Sequence, residues 1–131
     1  MGACDTSFRV LIVDDEALMR WAMVETLVDA GFTVTDAGSA RETLRQLKDA
    51  ELPDLVLLDF QLPDSIDLEL LASIRREAPA SAVIMATAYG TPEVQRGAER
   101  LGAVRVMDKP LDMTTLPDLV RTVQRARELP A

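Results

Sequence analysis

An α/β fold with a doubly wound parallel sheet is predicted by three observations: five short apolar runs, amphipathic stretches between them, and polar residues closing the runs. The runs near residues 10–13, 33–36, 55–58, 82–86 and 104–107 alternate with helix-like segments, the signature of βα units. Several are apolar throughout, as strands buried on both faces are. Asp14 and Asp15 close the first run, Asp59 the third and Thr87 the fourth, and Lys109 with Pro110 follows the fifth. In one parallel sheet these residues would gather at the carboxyl edge, where open α/β sheets place their ligands.

Each element has local signals. Residues 8–14 read as the first strand, and a helix over 16–30 stops at Gly31, a good residue for a helix end. Residues 33–36 alternate weakly and read as an outer strand. Ser39 caps a helix to about Lys48, with Glu42 completing a capping box. Leu52-Pro53-Asp54 turns the chain into a third strand over 55–59. The loop 61–67 carries Pro63, and the helix after it runs to about Glu77, ahead of Pro79. A fourth strand covers 81–87. Thr91 caps the next helix, Pro92 opens it and Gly102 ends it. Residues 104–107 form the fifth strand, and a last helix runs from about 113 to 128 with Pro117 in or near its first turn. The expectation is five strands and five helices in one domain over 1–131, with an ordered core over about 8–128.

Composition narrows the function. The chain has 131 residues, 48% hydrophobic and 27% charged, ordinary values for a globular domain. No apolar run approaches the ~18–20 residues of a membrane span, and the amino terminus lacks the features of a secretory signal. Gly2 with Thr6 formally meets a myristoylation pattern, but the pattern is short and common. Cys4 is the single cysteine, so no intrachain disulfide forms, which suits a cytoplasmic location. The absence of histidine excludes His-ligated zinc, histidine bases and a phosphohistidine within the chain. A net charge of −8 argues against direct nucleic-acid binding.

Asp14-Asp15-Glu16 has two readings. Acidic residues suit a helix amino terminus through its dipole. Alternatively, with Asp59 ending another buried strand, the carboxylates form a site for a hard cation, since crowded carboxylates repel strongly without one. Mg²⁺ fits, because it binds one or two carboxylates, phosphate oxygens and waters. Lys109 reads as a counter-charge for those carboxylates and as a point charge for a phosphoryl group. A cis bond is an option at Lys109-Pro110. Thr87 offers a hydroxyl donor at the same edge.

Val13-Asp14-Asp15-Glu16, Asp59 with Leu62-Pro63, Thr87-Ala88 and Lys109-Pro110, in that order over essentially the whole chain, resemble a response-regulator receiver domain of two-component signalling. The resemblance implies a flavodoxin-like five-stranded sheet of order 2-1-3-4-5 with five helices. It implies that Asp59 accepts a phosphoryl group from the phosphohistidine of a histidine kinase or phosphotransfer protein. It also implies Mg²⁺ on Asp14, Asp15, Asp59 and the backbone carbonyl of Gln61, with Lys109 and Thr87 holding the phosphoryl group. Movement of Thr87 would switch a face made by the fourth helix, fifth strand and fifth helix, for a partner or a phosphorylation-dependent homodimer. An output domain would lie outside this sequence. Leu62-Pro63-Asp64 and Leu68-Glu69-Leu70-Leu71 are similar to receivers of the nitrogen-regulator type.

Three positions depart from the family pattern. Val106 stands where an aromatic usually changes rotamer with the threonine. Asp67 replaces a glycine in the loop after Asp59, and Leu111 replaces an aromatic after Lys109-Pro110. By the resemblance, Gln61 and Tyr89 border the path of the attacking water and tune dephosphorylation. Along the first helix, Leu18, Met19, Trp21, Ala22, Met23, Leu27 and Val28 form a wide apolar arc, read mainly as core, the alternative being that one of Met19, Trp21 and Met23 is exposed and available to a kinase helix. The competing functions are a pseudo-receiver acting as a constitutive interaction domain, a phosphoaspartyl hydrolase and a flavodoxin-like cofactor binder. The hydrolase would need an aspartate where Gln61 stands, and the cofactor binder a glycine-rich loop after the first strand.

Overall fold

The computed structural model describes residues 8–49, 51–66, 68–88 and 90–128, so Gly2, Cys4, Asp67 and Tyr89 lie outside the described residues. Ten elements alternate along the chain: β1 (Arg9–Val13), α1 (Ala17–Asp29), β2 (Thr33–Ala37), α2 (Ala40–Asp49), β3 (Leu55–Asp59), α3 (Glu69–Glu77), β4 (Ala82–Thr87), α4 (Pro92–Arg100), β5 (Arg105–Asp108) and α5 (Leu116–Glu128). The strands form one parallel sheet in the order β2-β1-β3-β4-β5, the flavodoxin-like arrangement.

Strand alternation sorts the core into two layers. Val10, Ile12, Leu55, Leu57, Ala82 and Ile84 point toward α1 and α5, where Met23, Leu27, Leu116 and Val120 meet them. Leu11, Val13, Val56, Leu58, Val83 and Met85 point the other way, onto Leu47 of α2, Leu70, Leu71 and Ile74 of α3, and Ala98 of α4. The central strands therefore need apolar residues at every position, which is why β3 and β4 read as unbroken runs.

The helix ends follow the local signals in most places. Thr91 accepts the N–H of Val94 at 3.2 Å, and Pro92 occupies the first turn, where no N–H is missed. Gly31 and Gly102 take positive φ, +99° and +106°, at the ends of α1 and α4. Ser39 accepts the N–H of Glu42 at 3.1 Å, while the Glu42 carboxylate reaches the N–H of Gly38, one residue short of the usual capping-box partner.

Two expectations are corrected. The apolar arc of α1 is not mainly core: Leu18 is 78% and Trp21 63% exposed, and Val28 is exposed as well. The buried contact runs along Met19, Met23 and Leu27, one residue per turn. A helix apolar around most of its circumference carries no periodic signal of which face turns inward. The last helix starts at Leu116 rather than near 113. Asp112 Oδ1 accepts both the N–H (2.9 Å) and the hydroxyl (2.6 Å) of Thr114, a side-chain turn that competes with helix.

Candidate functional site

The strand register builds the site one step at a time. Val13 pairs with Leu58, which puts Asp14 level with Asp59. Asp59 pairs with Ala86, leaving Thr87 one residue beyond it, and Thr87 pairs with Asp108, leaving Lys109 one further. At about 3.3 Å per residue, Lys109 stands two steps past the carboxylates, a gap its long side chain spans. The N–H of Lys109 donates to the carbonyl of Thr87 at 2.9 Å, and the Lys109–Pro110 bond is cis.

Lys109 Nζ lies 3.2 Å from both Asp14 Oδ2 and Asp59 Oδ2. The other oxygens are held by backbone: Asp14 Oδ1 accepts the N–H of Glu16 at 2.9 Å, and Asp59 Oδ1 that of Gln61 at 3.1 Å. Asp14 is 1% and Asp59 7% exposed, whereas Asp15 is open to solvent. Oxygens of Asp14, Asp15 and Asp59 lie within 4.8 Å of one another. Thr87 is fully buried at the end of β4, and Val106 on β5 is half-buried against the α2–α4 layer.

Burial pushes the Asp59 carboxyl above its ordinary 3.8, and Asp14 adds to the rise; the Gln61 N–H and Lys109 oppose them without cancelling it. Burial alone would lower Lys109, but Asp59 and then Asp14 outweigh it, so the ammonium is held above its ordinary 10.5. Three carboxylates against one ammonium leave the cluster short of positive charge. An all-oxygen donor set of that charge suits a hard divalent cation such as Mg²⁺.

Two supporting residues escaped the sequence reading. Arg20 on α1 donates to the carbonyl of Asp14 at 2.7 Å and pairs with Asp36 of β2 at 2.8 Å, tying the strand-to-helix turn in place. Asp64, in the loop leaving Asp59, accepts the N–H groups of Ala40 (2.8 Å) and Arg41 (3.1 Å) and so caps α2. These bonds hold its carboxyl below the ordinary 3.8. Arg20 had only its place on a helix to mark it, and nothing local links Asp64 to a helix more than 20 residues earlier.

A five-stranded sheet in this order, with paired aspartates and a lysine at its carboxyl edge, is the arrangement expected of a receiver, a class of signalling domain. The family model of the response regulator receiver domain matches residues 10–121, and the chain belongs to that family, the receivers of two-component systems. It is 36% identical to the response regulator protein PilR of Pseudomonas aeruginosa over 119 residues, 91% of this chain and 26% of that protein. It is 33% identical to the transcriptional regulatory protein PdtaR of Mycobacterium tuberculosis, covering 94% of this chain and 60% of that one. It is 32% identical to the DNA-binding transcriptional regulator NtrC of Escherichia coli, covering 89% and 24%. The chain thus spans about a quarter of PilR and NtrC. A CheY-like receiver domain from Methanospirillum hungatei superposes with a TM-score of 0.88 at 28% identity, covering 94% of this chain and 98% of that one. The chemotaxis regulator CheY4 of Vibrio cholerae gives 0.81 at 28%, covering 90% and 99%.

Proposed function

We propose that this domain accepts a phosphoryl group on Asp59, with Mg²⁺, from the phosphohistidine of a histidine kinase or phosphotransfer protein. The observation that carries this reading is the buried carboxylate pair Asp14 and Asp59 sharing one ammonium at 3.2 Å, with Asp15 alongside. An oxygen of Asp59 attacks phosphorus in line, forming a P–O bond as the P–N bond to the donor imidazole breaks. The electron pair stays on the imidazole nitrogen, which takes up a proton. Asp14, Asp15, Asp59 and the Gln61 carbonyl would hold Mg²⁺, which when bound offsets charge on the phosphoryl oxygens. The Gln61 N–H and Lys109 orient Asp59, and Lys109 then follows the transferred group as a point charge.

Thr87 would donate its hydroxyl to the phosphoryl group, biasing the α4–β5–α5 face toward a partner or a second copy. With Val106 in place of an aromatic, that switch would run through Thr87 and the packing of β5. Gln61 and Tyr89 would tune the return hydrolysis. The intact Asp14, Asp15, Asp59, Thr87 and Lys109 speak against a constitutive pseudo-receiver.

The test is intact mass after incubation with a small-molecule phosphodonor. The expected result is one added phosphoryl group that needs Mg²⁺ and is lost in Asp59→Ala. No gain from folded protein with Mg²⁺ binding confirmed would overturn the reading. Sedimentation with and without a phosphoryl mimic tests the dimer, which fails if both samples stay monomeric at high concentration.

A further inference from the structure

On the layer opposite α1, helices α2 and α3 leave between them an open groove of about 690 Å³. Its floor includes buried Leu70 and half-buried Leu44, and its walls carry the exposed cations Arg41, Arg45, Lys48 and Arg76. Residues 41, 45 and 48 follow the i, i+4, i+7 spacing and form one stripe along α2. The fold gains little from this stripe beyond two local effects: Lys48 stands in the last turn of α2, where the helix dipole favours a cation, and Arg41 attracts Asp64. Arg41 stands in the first turn of α2, where the helix dipole disfavours a cation, and like charges one turn apart repel. Arg45 and Lys48 have no ion-pair or hydrogen-bond partner among the described residues, and Arg76 reaches only the hydroxyl of Ser73 at 3.3 Å.

Two acids also line the groove and offset its four cations only in part, Asp64 by attracting Arg41. Asp64 is held by the N–H groups of Ala40 and Arg41, and Glu69 lies in the first turn of α3, where its charge suits the helix amino terminus. A cationic groove with an apolar floor, in a chain of net charge −8, is a local reversal of the whole molecule's sign. That global charge disfavours a polyanion the size of nucleic acid, which would feel the whole field. A short acidic segment would feel mainly the groove. The stripe rises about 10 Å along α2, so carboxylates one turn apart on a second helix match its spacing.

We propose that the α2–α3 groove docks an acidic amphipathic helix of a partner protein, its carboxylates on Arg41, Arg45 and Lys48 and its apolar residues on Leu44 and Leu70. The surface is separate from the α4–β5–α5 face, and its test needs no phosphoryl group on Asp59. The groove also adjoins Asp64, on the loop that leaves Asp59.

The test titrates the ¹⁵N-labelled chain with three helical peptides identical except for glutamate, glutamine or lysine at positions one turn apart beside leucines. The glutamate peptide is expected to shift amides of α2 and α3, to bind about tenfold tighter than the glutamine peptide at low salt, and to lose that margin at high salt. The double variant Arg45→Glu, Lys48→Glu should reverse the preference toward the lysine peptide while still accepting a phosphoryl group. Equal binding of the three peptides, no shifts, or shifts confined to α1 or α5 would overturn the proposal. So would tighter binding of a short DNA duplex at the same amides, or self-association of the chain alone through α2 and α3, which would make the occupant a second copy.

Discussion

The strands β3 and β5 both deliver a site residue, yet they are built oppositely. All five residues of β3 are buried, and Asp59 ends it with both oxygens held. In β5 the two outer residues are exposed and the inner two half-buried, and Lys109 reaches the site only by extending back past the strand end. Asp59, the proposed phosphoryl acceptor, therefore sits on a frame that cannot shift without opening the core, while its cationic partner hangs from an edge with little to lose. In a switch, chemistry belongs on the first kind of strand and motion on the second.

The largest effect that tests this contrast is a pair of truncations read by urea denaturation. Leu55→Ala in β3 should cost about 3 kcal/mol, because a fully buried leucine leaves a cavity. Val106→Ala in β5 should cost under about 1 kcal/mol, since half-exposed apolar atoms return to water cheaply. Similar losses would dissolve the distinction.

Lys109→Ala sharpens it next. Without metal, removing the shared ammonium leaves two buried carboxylates facing each other, and stability should fall by about 1–3 kcal/mol, less than for a fully buried pair because Lys109 is 19% exposed. Saturating Mg²⁺ should stabilise both proteins, and the variant more, since the carboxylates that bind it have lost their other counter-charge. No stabilisation of either protein by Mg²⁺ would mean that the carboxylates do not hold the ion.

A smaller effect belongs to Asp64, which ties the loop after β3 to α2. Asp64→Ala removes a cap worth about 1 kcal/mol. Its folded-state pKa lies below the unfolded value of 3.8, so the contribution is present above that pH and disappears as pH falls through the folded value. The difference between wild type and Asp64→Ala should therefore shrink in acid; a pH-independent difference would argue against the cap. The smallest change is expected for Trp21→Ala, within about 0.5 kcal/mol, because the ring is largely in solvent. A loss above about 2 kcal/mol would restore the core reading of α1.

Much of this was legible because buried parallel strands write themselves as unbroken apolar runs. Leu55–Asp59 shows β3 to the residue, and Thr91, Pro92, Gly31 and Gly102 mark helix ends by backbone requirements that few other residues meet. The strand order came from family resemblance, since alternation alone does not say which strands are neighbours. What escaped depends on long-range geometry: which face of α1 turns inward, that Asp112 would delay α5, and that Asp64 would cap a helix distant in sequence. The gathering of Asp14, Asp59 and Lys109 was expected from strand ends, but the shared 3.2 Å contact needed the register.

The most direct measurement locates the phosphoryl group. Protein incubated with a phosphodonor and Mg²⁺ is treated with borohydride, which reduces an acyl phosphate to the alcohol, and its peptides are then weighed. Homoserine at position 59 alone, absent without Mg²⁺, is the predicted result. Homoserine at position 14 or 15, or none from protein that has gained phosphate, would contradict Asp59 as the acceptor.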